Sequence, residues 1–195
     1  MKKNLSETLL FETIKIENGK IFNIEWHNQR FNQSRLELFK ERKKIMLEEM
    51  ITPPKKGLFR CRVLFNKKII SIKYIPYQAK EINSIKIVKS DLSYMYKYDN
   101  RDEISRLMEK KYDEIIIEKN GFLTDTSIAN IAFYDGINWI TPSKPLLNGT
   151  MREQLLAKKL LIQKDIRKED IKSFSNFALM NAMIGFQIKK SVTIT

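Results

Sequence analysis

The chain has 195 residues and carries 36 basic against 23 acidic side chains, a formal net charge of +13. Hydrophobic residues make up 43% and charged residues 30%, which suits a globular chain, one domain or two small lobes, that needs no disulfide or metal staple. A single cysteine, Cys61, excludes an internal disulfide, and a single histidine, His27, argues against both a zinc ligand set and a histidine-based hydrolytic triad.

Residues 9–16, LLFETIKI, read as a strand; Asn18-Gly19 is a hairpin turn, and residues 21–24 return as a second strand. A helix is predicted from Trp26 to about Leu38, with His27, Phe31, Ser34 and Leu38 on one face. A second helix is expected over 42–50, stopped by Pro53-Pro54. Residues 58–65 and 68–76 form a strand pair, and the polar stretch after them crosses between two halves. Another strand lies at 82–88. After SYMYKYDNR, Asp99 or Asn100 is expected to cap a helix that runs to about Lys111. From 114 to 142 the pattern is a meander with turns at Asn120-Gly121 and Asp135-Gly136. A helix starts near Met151, and FALMNAMIGFQIK is the last core piece. The sum is an α+β chain with antiparallel strands: a small N-terminal α/β lobe over 1–78, a connecting segment over 79–83, and a larger β-rich C-terminal lobe over 84–195 that carries Lys97.

The basic residues are spread in short groups such as Arg42-Lys43-Lys44, Lys67-Lys68, Lys110-Lys111 and Lys189-Lys190. They form no long run and no aromatic-interleaved RNA motif, so a solvated basic surface is expected rather than a nucleic-acid site. Such a surface also attracts anionic substrates. No apolar run approaches the length needed to cross a bilayer, and the opening residues hold no sustained apolar stretch and no cleavage site. A cytoplasmic, reducing setting without membrane attachment is therefore expected.

Four positions have the chemistry for a phosphate-bearing aldehyde cofactor. Thr150-Met151-Arg152-Glu153 has the form of a capping box, and Gly149 before it lets the backbone bend. The amides of a helix start are also an anion site, with phosphate the usual guest. Arg30, on the early helix, offers a planar fork for phosphate. Lys97 sits among aromatic residues, a setting that makes an amine a usable nucleophile. Asp125, in LTDTSIAN, is either a turn carboxylate or a fixed anion facing a protonated ring nitrogen. Each position alone is a weak signal, and its plain reading is a helix cap, a surface arginine, a snorkelling lysine or a turn residue. In chain order they make a phosphate clamp, an amine and a ring-nitrogen partner, the parts a protein supplies to pyridoxal phosphate.

In that order the sequence resembles the class IV aminotransferases, the fold-type IV pyridoxal-phosphate family that includes branched-chain and D-amino-acid aminotransferases and aminodeoxychorismate lyase. The segments that carry the resemblance are FETIKI, WHNQRFNQS, YKYDNR, GFLTDTSIANIAF, TPSKPLLNGTMRE and ALMNAMIG. The resemblance implies that Lys97 is the lysine that carries the cofactor. It puts Asp125 where the family usually has a glutamate against the pyridine nitrogen. Arg30 matches the phosphate-binding arginine of a His-x-x-Arg helix whose histidine is His27. Thr150 and Met151, after the family glycine Gly149, match the pair whose amides bind phosphate, and Asn181 and Ala182 match a late segment that also touches it. The runs Lys97-Tyr98-Asp99-Asn100-Arg101, Asn148 to Arg152 and Asn181-Ala182 look more like the lyase than the branched-chain enzymes. The resemblance thus implies a homodimeric lyase that takes a small-molecule amine, 4-amino-4-deoxychorismate, to 4-aminobenzoate and pyruvate. A transaminase of the same family, or a relative that keeps the fold without turnover, is the alternative. Ten residues precede Phe11 where the family usually has about two more strands, so the part of the pocket and dimer contact those strands build is expected to differ.

Overall fold

The computed structural model describes residues 8–195. The reading of the chain's opening falls in part on residues 1–7, outside the described residues. Two compact units are present: one ends at Ala79 and also takes in Tyr96–Asn100, and the other comprises Lys80–Met95 with Arg101–Thr195.

The first unit is a four-stranded antiparallel sheet with a helix packed on its apolar face. Strand β1 (Leu10–Glu17) turns through Asn18-Gly19 into the short β2 (Lys20–Ile21). Both turn residues have positive φ, 49° and 81°, which suits the twist of a two-residue hairpin and explains the Asn-Gly pair. The return strand is shorter than its sequence suggests. Asn23 adopts a left-handed conformation, and helix α1 (Ile24–Phe39) begins directly after it. Strand β1 pairs along its whole length with β3 (Leu58–Phe65), which pairs with β4 (Ile69–Pro76), so the order is β2-β1-β3-β4. Alternation puts Leu10, Ile14 and Ile16 in the core with Cys61, Val63 and Phe65. His27, Phe31 and Ser34 of α1 are buried as their spacing predicts, and Leu38 packs half-buried at the edge of the core.

The helix expected over 42–50 is only the single turn α2 (Leu47–Met50). The segment before it has its backbone satisfied by side chains of α1 instead. Arg35 donates to the Lys43 carbonyl at 2.8 Å, and Asn32 exchanges bonds with both backbone groups of Ile45. Asn28 Oδ1 accepts from the Leu47 amide at 2.8 Å. Side chains that supply these bonds compete directly with a helical ladder.

The lysine segment belongs to the first unit and not to the C-terminal part of the chain, where the sequence reading places it. The Phe11 amide donates to the Lys97 carbonyl at 3.0 Å, and the Asp99 amide to the Leu9 carbonyl at 2.9 Å. Leu10 and Tyr98 form an antiparallel bridge, and Tyr96 and Tyr98 pack on the core of this unit.

The second unit is a larger mixed sheet. Its backbone is the antiparallel meander β6 (Glu114–Lys119), β7 (Phe122–Thr126), β8 (Asn130–Tyr134) and β9 (Trp139–Pro142). β5 (Ser84–Lys89) lies parallel to β6, and β10 (Ile162–Lys164) parallel to β9. β11 (Asn176–Asn181) pairs with both β8 and β12 (Gly185–Lys189), and β13 (Thr193–Ile194) lies parallel to β5. These parallel pairs go beyond the antiparallel pattern that the turns alone predict, because they join strands distant in sequence. The α+β class holds.

Two helices flank the meander. α3 (Asp102–Leu107) is shorter than expected: Arg101, not Asp99 or Asn100, is its N-cap, and Asp99 instead forms an ion pair with Arg62 in the first unit. α4 (Thr150–Ala157) starts one residue earlier than Met151, with Gly149 as N-cap. The Thr150 capping box does not form. Thr150 is already helical, and the Glu153 carboxylate pairs with Arg152 at 2.6 Å rather than reaching back to an N-cap amide.

Candidate active site

In the first unit the site is built around a carboxylate that the sequence reading passed over. Glu12 falls on the core side of β1 with Leu10 and Ile14 and is 1% exposed. A charge there needs partners, and α1 supplies two from one face, three residues apart. Arg30 donates to Glu12 through Nε at 2.8 Å and through Nη2 at 2.6 Å. His27 Nδ1 is 2.7 Å from Glu12 Oε2. Burial by itself would raise the Glu12 carboxyl, but the Arg30 charge and hydrogen bonds, with His27, outweigh it and hold the group well below the usual carboxylate range. Burial pushes His27 down, against the pull of Glu12, so the ring favours its neutral form. The signal for Glu12 was in the sequence: it is a charged residue at the core parity of an alternating strand.

Arg30 therefore spends one edge of its fork on Glu12, an anchor that fixes the direction of the guanidinium. Lys97 stands in the same unit. Its amine lies 4.6 Å from the centroid of the Phe11 ring, the residue next to Glu12, and its charge also acts to lower His27. Arg62 covers the same ring at 3.9 Å. Arg30, His27 and Lys97 are thus brought together by β1 and α1.

The second unit assembles the remaining positions. Asp125 is not a turn residue. It lies on β7, is 4% exposed, and faces Asn130 directly across the ladder to β8. Its Oδ1 accepts from Asn130 Nδ2 at 2.7 Å and its Oδ2 from the Leu147 amide at 2.9 Å. Burial pushes the carboxyl up to about 6, against the opposing effects of the Leu147 amide, Asn130 and the charge of Arg152. Gly149 has φ −70°, which any residue adopts, so free bending is not why glycine stands here. A Cβ would lie 1.9 Å from Asn130 Oδ1, and glycine is needed for that close approach. Thr150 is buried at the start of α4, and the Glu153 amide is the first to bond back along the helix, to the Gly149 carbonyl at 2.9 Å. The amides of Met151 and Arg152 precede it, which is the anion-binding end of a helix. Asn181, at the end of β11, closes the turn to β12 by accepting from the Met183 and Ile184 amides, and Ala182 lies within that turn.

These residues fit the cofactor that the sequence suggests. A buried carboxylate held near neutrality by burial is the partner a protonated ring nitrogen would ionise, and the amides of Met151 and Arg152 at a helix start suit a phosphate. The raised Asp125 carboxyl has a measurable consequence. Its folded value lies above its ordinary 3.8, so the stability linked to its proton is fully present below about pH 3.8 and is lost as pH rises through about 6. The unfolding free energy of the wild type relative to Asp125→Asn is expected to fall by on the order of 3 kcal/mol between pH 4 and pH 7. Denaturant titrations across that range measure it, and a difference that does not change with pH would contradict the assignment.

The pattern of the family described as amino-transferase class IV matches residues 9–192. A chain matched over nearly its whole described length belongs to the class IV aminotransferases, a family of pyridoxal-phosphate enzymes. An uncharacterized protein of Haemophilus influenzae is 40% identical over 184 residues, 90% of this chain and 98% of its own. The crystal structure of a putative 4-amino-4-deoxychorismate lyase from Haemophilus somnus superposes with a TM-score of 0.83 at 37% identity, covering 92% of this chain and 98% of that one. A hypothetical aminotransferase from Mycobacterium tuberculosis, solved in its PLP-bound form, shares the fold with a TM-score of 0.71 at 14% identity, over 94% of this chain and 80% of that one. Among the described residues no helix is long and apolar enough to cross a membrane.

Proposed function

We propose that the protein is a pyridoxal-phosphate-dependent lyase that converts 4-amino-4-deoxychorismate to 4-aminobenzoate and pyruvate, in the cytoplasm and as a homodimer. The observation that carries the cofactor assignment is Lys97, in the lysine position of the family motif, with its amine directed over the Phe11 ring. The lyase reading rests on the Haemophilus somnus relative, which is similar over almost its full length.

When bound, the cofactor supplies an electron sink for the carbon that bears the substrate amine. Lys97 would be the amine that holds it and, when its amine is free, the base that takes a proton from that carbon. In the first unit Arg30, held by Glu12, would offer its guanidinium as a phosphate ligand; in the second, the helix start at Thr150 and Met151 would offer backbone amides to phosphate, with Asn181 and Ala182 in support. Asp125 would hold a proton on the ring nitrogen. In a lyase the substrate then expels pyruvate, and its ring becomes aromatic.

The test uses the purified chain with pyridoxal phosphate. An absorption band that borohydride abolishes, with the reduced adduct mapped to Lys97, is expected. Added 4-amino-4-deoxychorismate should then release 4-aminobenzoate and pyruvate in equal amounts. Turnover of branched-chain or D-amino acids with a keto acid instead would assign a transaminase. An adduct without either turnover would assign a chain that keeps the cofactor and has lost the reaction. Light scattering of the loaded protein checks the dimer.

A further inference from the structure

The two cofactor contacts assigned to the second unit are not independent of one another. Asn130 begins β8 and is 5% exposed. Its Nδ2 donates twice, to Asp125 Oδ1 at 2.7 Å and to the Leu147 carbonyl at 2.9 Å. The Leu147 amide returns to Asp125 Oδ2 at 2.9 Å. Asp125, Asn130 and Leu147 thus close a ring of three hydrogen bonds. Two acceptors facing Nδ2 also settle which way the amide points. The other end of the same side chain, Oδ1, occupies the space where a Cβ on Gly149 would be. Gly149 is the N-cap of α4, and Leu147 stands two residues before it. One buried amide is therefore wedged between a carboxylate and the start of a helix, bonded to the first and in close contact with the second.

We propose that Asn130 is the positioning residue that couples the ring-nitrogen carboxylate to the phosphate-binding helix start. This rests on the cofactor reading above and deepens it. Through Nδ2, Asn130 fixes the direction of the Asp125 carboxylate and stabilises its charged form. Through the Leu147 carbonyl and the contact at Gly149, it sets where the amides of Met151 and Arg152 lie. The charged side chain that acts on Asp125 beside these amides is Arg152 of α4, whose Nη2 is held by the Pro142 carbonyl at 2.9 Å and Gln163 at 3.0 Å, so it is tied elsewhere. The coupling also accounts for glycine at 149: only a residue without a Cβ lets the helix start close on Asn130. Asn130 touches neither reacting atoms nor, in this assignment, the cofactor; it acts through its two neighbours.

The test compares the wild type with Asn130→Ala in the full chain, by two readouts. The first is the titration of the Asp125 carboxyl carbon followed by NMR without cofactor, identified by its loss in Asp125→Asn. Removal of the Asn130 donor is expected to raise its midpoint by about one pH unit. The second is binding of pyridoxal phosphate against pyridoxal, which lacks the phosphate. Asn130→Ala is expected to weaken pyridoxal phosphate about tenfold more than it weakens pyridoxal, because the helix start is displaced. If the alanine variant does not fold, Gly149→Ala pushes on the same contact from the other side and should move both readouts in the same directions. A variant that lowers only the melting temperature, with the carboxyl midpoint and the ratio of the two affinities unchanged, would overturn the coupling. Failure of the wild type to form any adduct at Lys97 would instead overturn the cofactor reading, and the carboxyl titration would still decide the role of Asn130 toward Asp125.

Discussion

Glu12→Ala is expected to lower the stability of the protein by about 3–5 kcal/mol, the usual cost of removing one partner from a buried ion pair. Glu12 is fully buried and receives three bonds, two from Arg30 and one shared with His27. Truncation takes this carboxylate away from a guanidinium whose side chain is 15% exposed and a histidine with no exposure at all. In a chain of this length that loss corresponds to a drop in melting temperature of about 10 °C. Glu12→Gln keeps the volume and one acceptor and should lose about half as much. The wild-type interaction also has a definite pH dependence. The Glu12 carboxyl lies below its ordinary value when folded, so its contribution is present above that ordinary value and is lost only as pH falls through the depressed one. Thermal melts from pH 7 to pH 2 should therefore bring wild type and Glu12→Gln together only in strong acid. A Glu12→Ala protein as stable as the wild type would show that the cluster is not holding Arg30 in place.

The second large effect falls on chemistry rather than stability. Lys97→Ala should abolish the borohydride-fixed adduct and lower turnover by at least about a thousandfold, since it removes both nucleophile and base. Lys97→Arg separates the roles. It keeps a cation over the Phe11 ring, an interaction of about 0.5–1 kcal/mol, while offering no amine of suitable basicity. The arginine variant should melt close to the wild type and be as inactive as the alanine variant. Partial recovery of the alanine variant by added methylamine would confirm that the missing group is an amine. An adduct or turnover that survives both substitutions would place the cofactor on another lysine.

The contrast between these two residues shows where the sequence is informative. Lys97 stands out in the sequence because it lies inside YKYDNR, a segment that resembles a family motif. Glu12 also lies in a motif, FETIKI, yet its role depends on α1 folding back over β1, which brings residues 15 and 18 positions away within hydrogen-bond reach. Asn130 stood in the quoted segment 121–133 without a role for the same reason. Its partner Asp125 is five residues off, but its second partner Leu147 and its close neighbour Gly149 come from the start of another element.

Local chemistry alone determined a good deal about this protein. The Asn-Gly pairs placed both two-residue hairpins, because few other dipeptides accept positive φ twice in succession. The spacing along α1 put His27, Phe31 and Ser34 on its buried face, and the resemblance to a family picked out Lys97, Asp125 and Gly149-Thr150 as candidates. Tertiary structure alone decided the rest. It shortened the helix at 42–50, because Asn28, Asn32 and Arg35 offered its backbone better partners than a helical ladder. It moved the lysine segment into the first unit through bonds to Leu9 and Phe11, and it gave Glu12 and Asn130 their work. Hydrophobic period and turn chemistry act over a few residues and can be read along the chain. A buried polar group is satisfied by whatever donor the fold brings to it, and that is settled only when distant segments meet.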